Sequence, residues 1–235
     1  MPDPEPVWPV SRLTAQLRDL GVRAGDTLFV HTGLRATRLA RHEVPNLLAA
    51  YLRAVGDEGA VFFPTHTYCF KSMPGVAPYH LDMPCVPGVG VWPELTRRIP
   101  GVTRSLQPTH SNAGIGADVD RILGDHADFE PVGVGSPLDK HYLANDKVLL
   151  IGCGFESCTA LHLAETYAQV PYLGRFPNPD DSIALTRTSG TVREIPIRER
   201  PGCSTGFPKF EPRLRAEDLI RDGRLAEAPV MLCEM

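Results

Sequence analysis

Two side chains in CTALHLAETYA (158–168) are of a type and spacing that could do chemistry: His162 and Glu165, three residues apart. On a helix this spacing puts both on one stripe with Cys158, beside a broad apolar arc of Ala160, Leu161, Ala164, Tyr167 and Ala168. An imidazole held by a carboxylate can act as a general base. It can equally be a buried ion pair whose members satisfy each other, and helical geometry leaves both readings open. Cys158 adds a third reading, a thiolate nucleophile beside His162. Against it stands the usual behaviour of a free buried cysteine as a small hydrophobe.

Two further segments collect polar groups. TRSLQPTHSNAGIG (103–116) brings Arg104, Ser105, His110, Ser111 and Asn112 ahead of a helix expected to begin near Gly116, an arrangement that can bind an anion or cap the helix. HTGLRATRLARH (31–42) repeats arginine at 35, 38 and 41, as a solvated basic face or a phosphate site would. The other histidines are expected to be structural or solvent-facing: His31 ends a strand, His66 and His80 lie in a long loop, and His42, His126 and His141 read as surface or helix-flank positions. No GxSxG elbow or Walker A sequence occurs. The six cysteines form no CxxC pair, which points to reduced thiols and no metal site.

These groups need elements to position them. Helical patterns cover SRLTAQLRDL (11–20), with Ser11 as cap and Gly21 as stop, and VPNLLAAYLRAV (44–55). Strands are expected at DTLFVH (26–31), AVFFPT (60–65) and, as the central strand, KVLLIG (147–152). Shorter helices fit VWPELTRR (91–98) and GADVDRILGDHA (116–127). Residues 66–90 form a long Pro/Gly-rich loop, and SIALTRTSGTVREIPI (182–197) reads as a hairpin about Ser189-Gly190 that makes the sheet mixed. The tail reads as a loop, a helix from Pro212 to Arg221 and a closing strand. The alternation predicts an α/β/α sandwich with a mixed central sheet, one domain over 1–235. In such sheets ligands collect beyond the carboxyl ends of strands, which places the segment after KVLLIGCG near a site. GCG is not the dinucleotide fingerprint, because Ser157 replaces its third glycine.

The net charge of −4 offers no basic surplus for a nucleic acid, and no apolar run approaches the ~18 residues of a membrane span. With no secretion signal at MPDPEPVWPV, a cytoplasmic protein is expected. No oligomeric state follows from the sequence.

In order and spacing, VHTGL (30–34), DEGAVFFPTHT (57–67), GVWPELTRRIPGVTRSLQPTHSNAGIG (90–116), SPLDKHYLANDKVLLIGCGFESCTALHLAE (136–165) and CSTGFPKFEP (203–212) resemble the aminoglycoside 3-N-acetyltransferase family. The chain departs from the family pattern at Gln107, in place of histidine in R-S-x-H-P, and at Thr32-Gly33, in place of a serine pair. The resemblance implies transfer of an acetyl group from acetyl-CoA to a small-molecule amine, without a metal. It implies His162 and Glu165 as the active pair, and Thr32, Gly33, Leu34, Arg104, Ser105 and Ser111 near the coenzyme. Asp82, Glu94, Asp139 and Glu156 are acidic groups available to a cationic acceptor such as an aminoglycoside. Two alternatives accompany this reading: a biosynthetic N-acyltransferase with another acceptor or acyl donor, and a binding protein that keeps the cleft without turnover.

Overall fold

The computed structural model describes residues 7–173, 183–197 and 203–235. Helix α1 (Val10–Leu20) leads into strand β1 (Thr27–Thr32), a single turn α2 (Leu34–Thr37), helix α3 (Val44–Val55) and strand β2 (Ala60–Pro64). The long loop and α4 (Val91–Thr96) follow, then β3 (Thr103–Arg104), β4 (Asn112–Gly116), α5 (Val119–Leu123), α6 (Pro137–Leu143) and β5 (Lys147–Ile151). Helix α7 (Ala160–Tyr167), hairpin strands β6 (Ile183–Thr188) and β7 (Thr191–Pro196), α8 (Glu211–Ala216), β8 (Arg221–Leu225) and β9 (Ala228–Glu234) complete the order.

Seven strands form one sheet in the order β3-β4-β2-β1-β5-β9-β8. The inner three, β2, β1 and β5, are parallel, and the four outer strands run antiparallel to their neighbours. Alternation along β1 divides its side chains between two layers. Leu28 and Val30 join Val61, Phe63, Leu149 and Ile151 under α1, α3 and Trp92 of α4. Phe29 joins Phe62 beneath α5, α6 and Leu163 of α7. Val148 and Leu150 meet Phe155, Cys158 and Phe207 beside them.

The sheet is mixed for a reason different from the one expected. The β6–β7 hairpin is a separate two-stranded sheet, bridged through Ala184 and Thr186 to Phe70 and Tyr79 of the long loop. The mixture comes instead from β3, β4, β8 and β9. Asn112–Gly116 is itself a strand, its backbone pairing along β2 from Pro64 to Ala60, and the helix expected near Gly116 begins at Val119. Pro9 rather than Ser11 precedes α1, whereas Gly21 closes it in the left-handed region at φ 115°. The tail's helix stops at Ala216, and Arg221–Leu225, expected to begin after a helix ending at Arg221, is a strand paired with β9. His126 and His141, expected at the surface, are fully buried. His126 is held between Ser105 Oγ and the Pro131 carbonyl; His141 is held by Asp146 and packs against Phe62.

Candidate active site

Because β1, β2 and β5 are parallel, their carboxyl ends open at one edge of the sheet, and antiparallel β4 brings residues 105–111 back to that same edge. The Thr65 and Thr67 N–H groups donate to the carbonyls of Ser111 and Thr109. His31 from the end of β1, His66 from beyond β2, His110 from before β4 and His162 from α7 are thereby gathered. The His66 and His110 rings meet edge-on at 4.6 Å, and Tyr68 lies 5.1 Å from His110. Burial holds the His66 pKa down to about 3, with His31 and His162 near enough to disfavour its imidazolium further.

In α7 the expected geometry inverts. Ala164, Tyr167 and Ala168 of the apolar arc are exposed, while His162 and Glu165, at 8% and 7% exposure, face inward. The burial is tolerated because the pair is saturated: His162 Nδ1 lies 2.7 Å from Glu165 Oε2, and Tyr172 donates its hydroxyl to Glu165 Oε1. A carboxylate only accepts, so Nδ1 carries the proton and Nε2 keeps a lone pair. Burial lowers the His162 pKa below its ordinary 6.5, and Glu165 partly offsets this by favouring the imidazolium. The Phe207 ring stands edge-on at 4.8 Å and walls the imidazole. The imidazole is thus neutral near pH 7, beside an ionised carboxylate, with a basic nitrogen fixed in direction, which suits proton abstraction.

At the ends of β1 and β5 lies a cleft of about 760 Å³ lined by Thr32, Gly33, Leu34, Arg35, Arg38 and Gly152 among others, with neither His162 nor Glu165 in its lining. Its narrow wall depends on two glycines. A Cβ on Gly33 would meet the Gly152 carbonyl oxygen at 2.5 Å, and one on Gly152 would meet Ala36 Cβ at 2.3 Å. Arg35 and Arg38 stand at the mouth, so the basic segment is part of a concave surface and not merely a solvated face. A second hollow, of about 660 Å³ between α7 and α8, contains neither His162 nor Glu165.

Three residues assigned to the coenzyme by resemblance are engaged by the protein itself. Arg104 gives every donor to the protein: Nε to Thr65 Oγ1 and Ser111 Oγ, one terminal nitrogen to the Leu81 and Met83 carbonyls, the other to the Thr65 carbonyl and Cys85 Sγ. It rivets the long loop to the sheet edge. Ser105 Oγ bonds His126 Nδ1 and accepts from the Asn112 N–H, and Ser111 Oγ donates to the Thr65 carbonyl at 2.6 Å. All three are buried, and their side-chain donors are taken up within the protein.

Of the acidic residues, Glu94 is neutralised by Arg97 and Arg98 and accepts from the Cys85 N–H, contacts that hold its carboxyl far below the usual range. Asp139 accepts from Tyr167 and the Gly135 N–H. Asp82 and Glu156 are exposed, with Glu156 capping the Gly154 N–H. Cys158 lies in the apolar cluster, where burial pushes its thiol up to about 12. The sequence reading undervalued His31, His66, Tyr68 and His110. His66 and Tyr68 sit in the long loop and His110 in TRSLQPTHSNAGIG, but nothing local shows that those segments meet.

Among the described residues no helix is long and apolar enough to cross a membrane, and no group of three or more His, Cys, Asp or Glu could hold a metal ion. Residues 29–235 match the family model described as aminoglycoside 3-N-acetyltransferase. The chain is 32% identical to aminoglycoside N(3)-acetyltransferase IV of Salmonella sp, over 94% of this chain and 80% of that one. It is 30% identical to aminoglycoside N(3)-acetyltransferase VIII of Streptomyces fradiae, over 95% and 86%. Among solved structures, an aminoglycoside acetyltransferase in complex with gentamicin superposes with TM-score 0.82 at 27% identity, over 97% of this chain and 83% of that one. A related acetyltransferase with CoASH bound superposes at 0.83 with 25% identity, over 96% and 91%.

Proposed function

Since the chain belongs to the aminoglycoside 3-N-acetyltransferase family, we propose that it moves an acetyl group from acetyl-CoA to an amine of an aminoglycoside, with His162 as general base. The observation that carries the base assignment is the buried His162–Glu165 contact of 2.7 Å, which leaves Nε2 unprotonated.

An ammonium cannot attack a thioester; its free amine can. His162 Nε2 takes the proton as the nitrogen adds to the thioester carbonyl, Glu165 stabilises the imidazolium so formed, and collapse of the tetrahedral adduct breaks the C–S bond and releases CoA, whose sulfur takes the proton. Tyr172 holds the far carboxylate oxygen, so Glu165 stays aimed at the ring. The cleft along Thr32–Leu34 and Gly152 would hold acetyl-CoA, with Arg35 and Arg38 toward its phosphates. With Ser111 Oγ engaged and the Gly33 N–H donating to the Ile151 carbonyl, the Leu34 N–H is the remaining candidate donor to the developing oxyanion. Asp82 and Glu156 are the exposed carboxylates left to attract a polycationic acceptor.

Direct transfer is favoured over an acyl-cysteine route because the Cys158 thiol is buried and protonated. Thiol release from acetyl-CoA, followed across a panel of aminoglycosides and unrelated amines, tests the reading. Turnover with an aminoglycoside, lost in His162→Ala with folding intact, is expected. Binding without turnover would instead indicate a protein that keeps the cleft alone, and turnover only with another amine or acyl thioester would indicate a biosynthetic acyltransferase.

A further inference from the structure

His110 is a buried imidazole that the mechanism above does not use. Its ring is wedged against His66 at 4.6 Å and Tyr68 at 5.1 Å, and its Nδ1 lies 3.1 Å from Thr109 Oγ1. The direction of that bond follows from the neighbouring groups. The Thr109 backbone N–H lies 2.9 Å from one oxygen of Gln107, and an N–H can only donate, so that atom is the amide oxygen Oε1. The amide nitrogen therefore faces the Phe129 carbonyl, at 3.5 Å. Thr109 Oγ1 is 3.0 Å from the same Oε1 and must donate its one proton there. With that proton committed, the hydroxyl can only accept from His110, so Nδ1 carries hydrogen and Nε2 is the bare nitrogen.

We infer that Gln107, acting through Thr109, is a positioning residue that locks His110 in the Nδ1–H tautomer, so that its Nε2 accepts a hydrogen bond from an N–H or O–H of the acceptor substrate. Two observations on the environment support it. No described residue bonds His110 Nε2, and His110 keeps 7% exposure, whereas the Nε2 atoms of His31 and His66 are sealed from solvent without a partner. Burial and the nearby His66 and His162 also disfavour the imidazolium, so the ring stays an acceptor. An aminoglycoside presents ammonium groups, which can only donate, and the opposite tautomer would set donor against donor there. This inference rests on the aminoglycoside reading for its ligand, but the tautomer does not.

The test is imidazole ¹⁵N NMR of the full chain, with His110 resonances identified by His110→Gln, joined to steady-state kinetics of three variants. Expected for the unsubstituted protein is an Nδ1–H, bare-Nε2 pattern at His110, with the Nε2 signal moving on titration with an aminoglycoside. Gln107→Leu is expected to lose the pattern and to raise the acceptor KM about tenfold while kcat and the acetyl-CoA KM hold. Gln107→Glu, which restores an acceptor oxygen for Thr109, is expected to recover both, and Thr109→Val to reproduce the Gln107→Leu result. An Nε2–H pattern in the unsubstituted protein overturns the inference even if Gln107→Leu does not fold. So does an unchanged acceptor KM in a folded Gln107→Leu. An enzyme that turns over aminoglycosides with the wrong tautomer refutes this inference alone; a protein with the right tautomer but no aminoglycoside turnover or titration shift refutes the ligand assignment and leaves the lock standing.

Discussion

Glu165→Gln is the most discriminating change at this site, because it preserves shape and removes one charge. The carboxylate bonds the buried His162 Nδ1 at 2.7 Å on one side and the exposed Tyr172 on the other. A hydrogen bond to a charged group of this kind contributes about 1.5–3 kcal/mol, and in this mechanism the benefit is largest when His162 becomes an imidazolium. Its loss predicts a fall in kcat of about 10- to 150-fold. The amide also permits the wrong tautomer, since an NH2 turned toward Nδ1 would move the ring proton to Nε2 and remove the basic lone pair. The sign of the pH effect is fixed as well. Glu165 raises the His162 pKa against burial, so without it burial acts unopposed and the acid limb of kcat against pH moves to lower pH. Thiol release from acetyl-CoA between pH 5 and 8, with circular dichroism as a folding check, measures both. The double variant with His162→Ala is expected to cost no more than His162→Ala alone, because Glu165 acts through the ring. A folded Glu165→Gln enzyme with unchanged kcat and an unmoved acid limb would refute the working-dyad argument and leave a structural ion pair.

Other consequences follow from the same geometry. His162→Ala should reduce kcat by about 10²–10⁴, the contribution of a positioned base, in the same thiol assay. Gly33→Ala places a methyl 2.5 Å from the Gly152 carbonyl and should raise the acetyl-CoA KM with little effect on the acceptor KM; equal values for both would remove the cleft from coenzyme binding. Cys158→Ala should turn over normally, and the parent enzyme should show no burst of CoA without acceptor, because its thiol is protonated near neutrality. His31, His66 and His126 are held down to about 3 by burial, against 6.5 when unfolded. Their contribution to stability is complete above pH 6.5 and declines as pH falls from there toward 3, since only the unfolded chain takes up the protons. The Tm should therefore drop between pH 6.5 and 4 in a thermal melt, and a flat profile would show that these rings are hydrated.

What the sequence determined by itself is what local pattern can encode. β-Branched and aromatic runs marked β1, β2 and β5, and helical periodicity marked α3 from Val44 to Val55. Gly21 stopped α1 where a left-handed residue was needed, and the three-residue spacing of His162 and Glu165 put them on one helix face. None of that required knowing a distant neighbour. The ordered set of family segments was also legible, because it lies along the chain.

Tertiary structure decided which face of α7 is buried, and it chose the polar pair because Tyr172 and Glu165 complete the hydrogen bonds that make such burial tolerable. It turned 112–116 into a strand, since pairing with β2 offers those backbone groups more partners than a helix entrance could. It engaged Arg104, Ser105 and Ser111 with partners remote in sequence, the carbonyls of Leu81 and Thr65 and the His126 ring. His31, His66, His110 and His162 come from four separate segments and meet only because parallel β1, β2 and β5 end at one edge, to which antiparallel β4 returns the chain. Strand direction is a property of pairing between distant segments, so no local pattern could have placed those four rings together.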